Sequence, residues 1–251
     1  MPVGLAAGRG VVVVLPTYDE RENLERVARA ILDNLPEAHL LVVDDASPDG
    51  TGDLADALAA TEPRVSVLHR PAKEGLGVAY RAGFRWALDR PETDAVVQMD
   101  ADFSHDPRDL PRLLDPLMRE ADLVLGTRYM AGGGTVGWPL RRRLVSRAGT
   151  LFARTVLLLP YRDLTGGFKA WRRSALEAIR LREADAHGYG FQVEMTWWAH
   201  RKGNRVEQIP IVFREREAGT SKMTGSIVGE AIGLVLRLRL EAIRDALRGR
   251  R

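Results

Sequence analysis

The segment Ala95-Val96-Val97-Gln98-Met99-Asp100-Ala101-Asp102 ends a short apolar run in two carboxylates one residue apart. A run of that length and composition reads as a buried strand. At its carboxyl lip the backbone is leaving the sheet and need not alternate, so both acids can face one crevice. Hard divalent ions such as Mg²⁺ or Mn²⁺ take oxygen ligands, usually one or two carboxylates together with phosphate oxygens of a substrate. Asp100 and Asp102 are therefore candidate metal ligands. The plainer alternative is two solvated acids in a turn before a helix capped near Asp106 and Pro107.

Outward from this segment, strand and helix patterns alternate. Residues 10–14 are almost wholly β-branched and read as a buried strand, with further strands over 40–43, 65–69, 95–100 and 123–126. Helical spacing is found over 23–35, where Leu24, Val27, Ala28, Ile31 and Leu35 share a side, and over 52–60, 77–89 and 110–119. The alternation predicts an α/β fold with a mostly parallel sheet flanked by helices and joined by right-handed crossovers. Ligands of such sheets collect outside the carboxyl ends of the strands. Here those ends carry Tyr18, Asp19 and Glu20, then Asp44 and Asp45, Lys73, Asp100 and Asp102, and Arg128.

The second half reads differently. Residues 129–139 hold Gly132, Gly133, Gly134 and Gly137 and predict a mobile loop. Residues 140–159, if helical, place Leu144, Val145, Ala148, Leu151, Phe152 and Val156 on one face and Arg143, Arg147 and Arg154 opposite. A late strand is expected over 209–213. Residues 226–251 form a second amphipathic helix, with Ile227, Ala231, Ile232, Leu234, Val235 and Leu238 on its apolar face. Helices of this kind lie in a bilayer interface or pack on their own domain. The expected organisation is a catalytic domain over 1–225, including the interface helix at 140–159, followed by the helix at 226–251.

With 251 residues, 45% hydrophobic and 28% charged, the chain suits a folded α/β domain. Its net charge of +3 gives no field of the kind that nucleic-acid binding needs, so no nucleic-acid partner is expected. The absence of cysteine excludes disulfides and thiolate metal sites and fits a reducing compartment. No stretch approaches the ~20 apolar residues of a spanning helix, and no charged-then-apolar leader is read at the N-terminus. Any membrane contact is expected to be peripheral, on the cytoplasmic face.

Several motifs occur in one order: Leu15-Pro16-Thr17-Tyr18-Asp19-Glu20-Arg21-Glu22-Asn23, Val43-Asp44-Asp45-Ala46-Ser47-Pro48-Asp49-Gly50-Thr51, Lys73-Glu74-Gly75-Leu76-Gly77, Met99-Asp100-Ala101-Asp102-Phe103-Ser104-His105 and Gly126-Thr127-Arg128-Tyr129. Together they resemble the inverting family 2 glycosyltransferases of GT-A (Rossmann-like) fold. Later segments sharpen the likeness: Gly137-Trp138 with Arg141-Arg142, Asp163-Leu164-Thr165-Gly166-Gly167-Phe168, Gly190-Phe191-Gln192-Val193-Glu194-Met195, and Arg216 with Gly219-Thr220-Ser221-Lys222. These resemble dolichol/polyprenol-phosphate mannose synthases, over about residues 11–236.

The resemblance implies transfer of mannose from GDP-mannose to a polyprenyl phosphate, with Mg²⁺ or Mn²⁺ as cofactor; the sequence leaves open whether a separate membrane anchor protein is a further partner. By position, Pro16, Tyr18, Glu20, Val43, Asp44, Asp45, Asp100 and Ala101 would bind the nucleotide. Asp100 and Asp102 would hold the metal, Arg128, Arg142, Arg216, Ser221 and Lys222 would gather the acceptor phosphate, and Asp102, Arg128 and Arg216 would be catalytic. Some members carry glutamine where this chain has Ser104, a poorer ligand. Each assignment has a structural alternative: Asp44 to Ser47 as a hydrogen-bonded turn, Tyr18 as a packing residue, Arg142 as part of a solvated or headgroup-facing run, Glu194 as a loop anchor, His105 as a cap.

The expected chemistry follows from the acceptor. A sugar hydroxyl must lose a proton as it attacks and needs a base, whereas a lipid phosphate, with a second pKa near ~6, is already largely dianionic. It needs cations, and arginine forks suit phosphate. Alternatives keep the fold but change the reaction: glucosyl or other hexosyl transfer, a hydroxyl acceptor with Glu194 as base, or a non-catalytic nucleotide- or lipid-binding subunit. A dehydrogenase is disfavoured, because Leu15-Pro16-Thr17-Tyr18 stands where a glycine-rich dinucleotide turn would be.

Overall fold

The computed structural model describes residues 4–179, 190–215 and 225–248. After a short 3₁₀ turn the chain alternates β1 (Val11–Thr17), α1 (Arg21–Asn34), β2 (His39–Asp44), α2 (Thr51–Thr61), β3 (Val65–His69), α3 (Leu76–Leu88), β4 (Ala95–Gln98), α4 (Leu110–Arg119) and β5 (Leu123–Thr127). It continues through β6 (Gly134–Val136), α5 (Leu140–Leu157), β7 (Lys169–Arg172), α6 (Arg173–Ala178), α7 (Gly190–Arg201), β8 (Val206–Pro210), β9 (Val212–Arg214) and α8 (Gly225–Arg248).

Seven strands form one sheet in the order β3-β2-β1-β4-β7-β5-β8, and β6 and β9 form a small second sheet. Every pairing in the large sheet is parallel except the two made by β7. The sheet is covered on both faces, as the period of two along β1 requires. Val11, Val13 and Leu15 join the core under α1 and α4, while Val12 and Val14 join the core under α3, α6 and α7. Gly83 lets α3 press onto the sheet: a Cβ there would fall 2.4 Å from Val14 Cγ1. Because the chain runs β1-β2-β3 to one side and then takes β4 to the other, the carboxyl ends of β1 and β4 flank the topological switch point.

The mostly parallel α/β architecture expected from the sequence is the one observed, with four differences. First, β7 was not anticipated and sits antiparallel in the sheet between β4 and β5. Two cationic residues in four, Lys169 and Arg172, hide its strand pattern. Second, residues 129–139 are not simply a mobile loop, since Gly134–Val136 pairs with Val212–Arg214. Third, the single late strand expected over 209–213 is divided at Ile211: Ile209 and Pro210 stay in the large sheet, and Val212 passes to the small one. Fourth, α6 and α7 occupy segments in which the sequence reading placed no element.

Lys169 is 1% exposed, and its Nζ donates to the Gln192 carbonyl at 2.6 Å and lies 2.9 Å from Thr196 Oγ1. Burial, partly offset by Asp163, brings its pKa down to about 7. The folded state therefore holds fewer protons than the unfolded chain between about pH 7 and the ordinary lysine range near ~10.4. Through that window stability conferred by this residue rises with pH, by about 1.4 kcal/mol per unit, and is at its lowest below pH 7. Lys169→Met is expected to lose this slope. Urea titrations of both proteins at pH 6, 8 and 9.5 check it, and parallel pH profiles would refute it.

The helices α5 and α8 pack against one another, and α8 also packs on α7. On α5 the covered residues are Thr150, Ala153 and Leu157. The apolar face read from the sequence is largely outward: Leu144 and Leu151 are 57% and 62% exposed, in line with Leu140 and Leu158. On α8, Leu234, Val235 and Leu238 are buried. A second apolar stripe, Ile232, Leu236, Leu240, Ile243 and Leu247, is exposed on the other side. Asp245 of α8 accepts a hydrogen bond from Arg201 of α7. Among the described residues no helix is long and apolar enough to cross a membrane.

Candidate active site

The loops after β1, β2 and β4 each contain a non-glycine residue in the left-handed region, Asp19, Ala46 and Phe103, with φ of 56°, 56° and 58°. Such backbone costs energy and is held only where the surroundings determine it, often at functional sites. Here local bonds do so. Ser47 donates to Asp44 through both its backbone N–H (3.1 Å) and its hydroxyl (2.6 Å), and its Oγ accepts the Asp19 N–H. Thr51 Oγ1 accepts the Glu20 N–H, and Glu20 Oε2 accepts from Asn23.

The two acids after β2 therefore have different tasks. Asp44 closes the turn and accepts from Thr17 Oγ1, while Asp45 pairs with Arg70, which also pairs with Glu74. Burial raises the Asp45 pKa in spite of Arg70. Tyr18 places its ring under Lys73, whose Nζ is 3.6 Å from the ring centroid. Pro16 and Val43 are register partners on β1 and β2. Val43 and Ala101 are buried in the apolar core, which leaves only backbone for any contact with a nucleotide.

Beyond β4, Asp100 and Asp102 line one cleft. Tyr80 donates to Asp100 Oδ1 at 3.1 Å, and the Ser104 N–H donates to Asp102 Oδ1 at 3.0 Å. His105 is buried, stacks on Phe168 and accepts the Asp100 N–H on Nδ1. Burial lowers its pKa, with Asp100 and Asp102 opposing, so the ring is a neutral packing element of the turn. Ser104 turns its hydroxyl inward, where it has no partner among the described residues. No cluster of three metal-type side chains occurs among the described residues. Two carboxylates on one cleft wall fit a hard ion that completes its shell with phosphate oxygens and water.

The cleft holds about 490 Å³ and changes character along its length. Its inner end is polar, with Asp100, Asp102, Arg128, Thr165 and Gln192. Its outer walls are apolar and come from α5 (Val145, Phe152, Ala153) and α8 (Ala231, Ile232, Val235). Arg128 is held by Asp163 through Nε (2.7 Å) and Nη2 (2.8 Å), with Thr165 Oγ1 also 2.8 Å from Nη2. Burial opposes ionisation of Asp163, but the Arg128 charge and hydrogen bonds outweigh it and keep the carboxyl below its ordinary range. Arg142 pairs with Glu215 at 2.5 Å and lies over Trp138, 4.1 Å from the ring centroid.

Of the residues singled out in the sequence, the structure brings Asp100, Asp102, Arg128 and Arg142 to this cleft. Pro16, Tyr18, Glu20, Asp44 and Asp45 stand at the neighbouring strand ends and do not line it. Arg216, Ser221 and Lys222 lie outside the described residues. Glu194 is buried and absent from the lining. Sequence reading gave no role to Trp138, Asp163 or Gln192, although all three stand in motifs quoted above. Gln192 is oriented by a relay: Trp171 Nε1 donates to Gln98 Oε1 at 2.6 Å, and Gln98 Nε2 to Gln192 Oε1 at 3.4 Å. Its Nε2 has no partner among the described residues.

Residues 12–180 match the model of "Glycosyl transferase family 2". The chain is 51% identical over 240 residues to an undecaprenyl-phosphate mannosyltransferase of Micrococcus luteus, covering 96% of this chain and 98% of the relative. It is 45% identical over 249 residues to a polyprenol monophosphomannose synthase of Mycolicibacterium smegmatis, covering 99% and 94%. Among solved structures, glucosyl-3-phosphoglycerate synthase from Mycobacterium tuberculosis, in complex with Mn²⁺, UDP and glucosyl-3-phosphoglycerate, superposes with a TM-score of 0.69 at 23% identity. That match covers 94% of this chain and 82% of the other and is a likeness of fold. The chain belongs to glycosyl transferase family 2, among the polyprenol-phosphate mannose synthases of GT-A fold.

Proposed function

We propose that this glycosyltransferase moves mannose from GDP-mannose to the phosphate of a polyprenyl phosphate, with inversion at the anomeric carbon. The observation that carries the reading is the cleft, polar at Asp100, Asp102 and Arg128 and apolar where it passes between α5 and α8. Its shape matches an acceptor that is a phosphate on a hydrocarbon tail. Both relatives named above carry mannosyl transfer to such an acceptor in their names. Nucleotide contact is assigned to the strand-end residues Pro16, Tyr18, Glu20, Asp44 and Asp45, with Val43 and Ala101 through backbone.

Asp100 and Asp102 are the residues that would hold Mg²⁺ or Mn²⁺, which when bound neutralises charge on the leaving diphosphate. Arg128, fixed by Asp163, faces the phosphate end of the cleft, and Arg142 stands beside it. Arg216, Ser221 and Lys222 are assigned to the acceptor phosphate on their motif alone. No base is required, because the attacking phosphate is already ionised. This fits a Glu194 that does not reach the cleft. Incubation with radiolabelled GDP-mannose and polyprenyl phosphate, followed by organic extraction, is expected to give a labelled lipid. Label entering the lipid only from UDP-glucose would replace mannose by glucose in this reading.

Gln192 lines the cleft, and its Nε2 has no partner among the described residues. Gln192→Leu keeps the bulk and removes the donor, and a hydrogen bond to substrate contributes roughly 0.5–1.5 kcal/mol, more to a charged oxygen. We expect kcat/KM to fall about tenfold with little change in melting temperature. Unchanged kinetics would remove Gln192 from substrate contact.

The outward apolar stripes of α5 and α8 support peripheral docking on a bilayer, beside the mouth through which a polyprenyl tail would enter. Burying one leucine contributes about 1.5–3 kcal/mol. Leu144→Ser is therefore expected to weaken vesicle binding about tenfold in flotation. Flotation unaffected by this change, in a protein that melts normally, would leave the stripes as packing surfaces only.

A further inference from the structure

On the other side of α5 from the acceptor cleft lies a second pocket of about 490 Å³, polar where the first is apolar. Arg147 and Arg154 enter it from the same face of α5, seven residues and about 10.5 Å apart along the axis. Arg162 enters it from the segment after α5. None of the three has an ion pair to an acidic side chain among the described residues, and Arg147 lies 5.5 Å from the Tyr129 ring centroid. Three uncompensated guanidinium groups lining one pocket repel one another unless an anion sits between them.

An independent observation points to the same ligand. Thr150 lines this pocket, is only 3% exposed, and its Oγ1 has no hydrogen-bond partner among the described residues. Buried hydroxyls are normally satisfied, and one left without a partner is costly. A further wall residue, Leu151, belongs to the outward apolar stripe of α5, so the pocket opens beside the surface assigned to the bilayer.

We propose that Arg147, Arg154, Arg162 and Thr150 form a discrete site for the phosphate of an anionic phospholipid, separate from the acceptor cleft. Guanidinium forks meet two phosphate oxygens at once, and the Thr150 hydroxyl donates a further bond. The lipid source of the phosphate rests on the bilayer docking proposed above. The phosphate chemistry of the pocket does not. Arg128 also lines this pocket and serves the first, so it is left intact in the test.

The test is calorimetry of the full chain with dihexanoyl phosphatidylglycerol below its micellar concentration, and separately with inorganic phosphate. The soluble lipid is expected to bind saturably, one per chain. Arg154→Gln and Arg162→Gln should each weaken binding about tenfold, and Thr150→Val about threefold. Arg143→Gln, an equal loss of charge on α5 outside the pocket, should leave it unchanged. Absence of saturable binding, or an Arg143→Gln effect as large as that of Arg154→Gln, overturns the site in favour of a diffuse field. Inorganic phosphate binding as tightly as the lipid overturns the lipid assignment. No bilayer is present in this assay, so failed vesicle docking is read separately, from Leu144→Ser.

Discussion

Asp102→Asn is expected to lower turnover by at least ~10²-fold, the scale on which removing one charge-stabilising group acts in a water-poor site. The substitution keeps shape, and an amide oxygen can still accept the Ser104 N–H that Asp102 accepts at 3.0 Å. What it removes is one of the two negative charges that Asp100 and Asp102 present to the cleft. If those charges hold a divalent ion against the leaving diphosphate, the loss should appear in kcat at saturating donor, and the Mg²⁺ concentration needed for half-activity should rise. Steady-state kinetics across a Mg²⁺ titration check both. Near-normal turnover with saturating donor and metal would sink the metal assignment.

The second large effect concerns stability. Arg128 and Asp163 are both buried and joined by two side-chain hydrogen bonds and a third from the Arg128 backbone N–H, and removal of one partner strands the other charge. Asp163→Ala is expected to cost about 3–5 kcal/mol of unfolding free energy. Part of this should return in Asp163→Ala/Arg128→Leu, because the stranded charge is gone. That non-additivity distinguishes a desolvated charge from a simple cavity. The pH sign follows from the depressed Asp163 pKa: its contribution is present above the unfolded value near ~3.9 and is lost as pH falls through the lower folded value. Urea unfolding of the wild type, both single variants and the double variant measures all of this. A double variant no more stable than the sum of the two singles would contradict the paired-charge account.

The sequence by itself determined the local units and their chemistry. Runs such as Val11 to Val14 can only be strands buried on both faces, and alternation with helical spacing makes the sheet mostly parallel. A parallel sheet collects ligands at its carboxyl ends, so the positions of Asp100 and Asp102 already pointed to a site. These properties are legible because they are written within windows of a few residues.

Tertiary structure alone decided what depends on partners far along the chain. Nothing local marks Lys169–Arg172 as a strand of the large sheet, since Lys169 becomes tolerable inside only when the Gln192 carbonyl and Thr196 stand beside it. Arg128 reads as a loose cation until Asp163, 35 residues on, is seen to hold it. Helical periodicity showed that α5 and α8 are amphipathic, yet which apolar face is covered was fixed by their packing on each other and on α7. Leu144 and Leu151 are outward for that reason, and the cleft exists only because two helices separated by most of the second half of the chain meet over the carboxyl end of β4. A periodic pattern specifies that a face must be apolar, whereas its neighbour is chosen by the global minimum of packing.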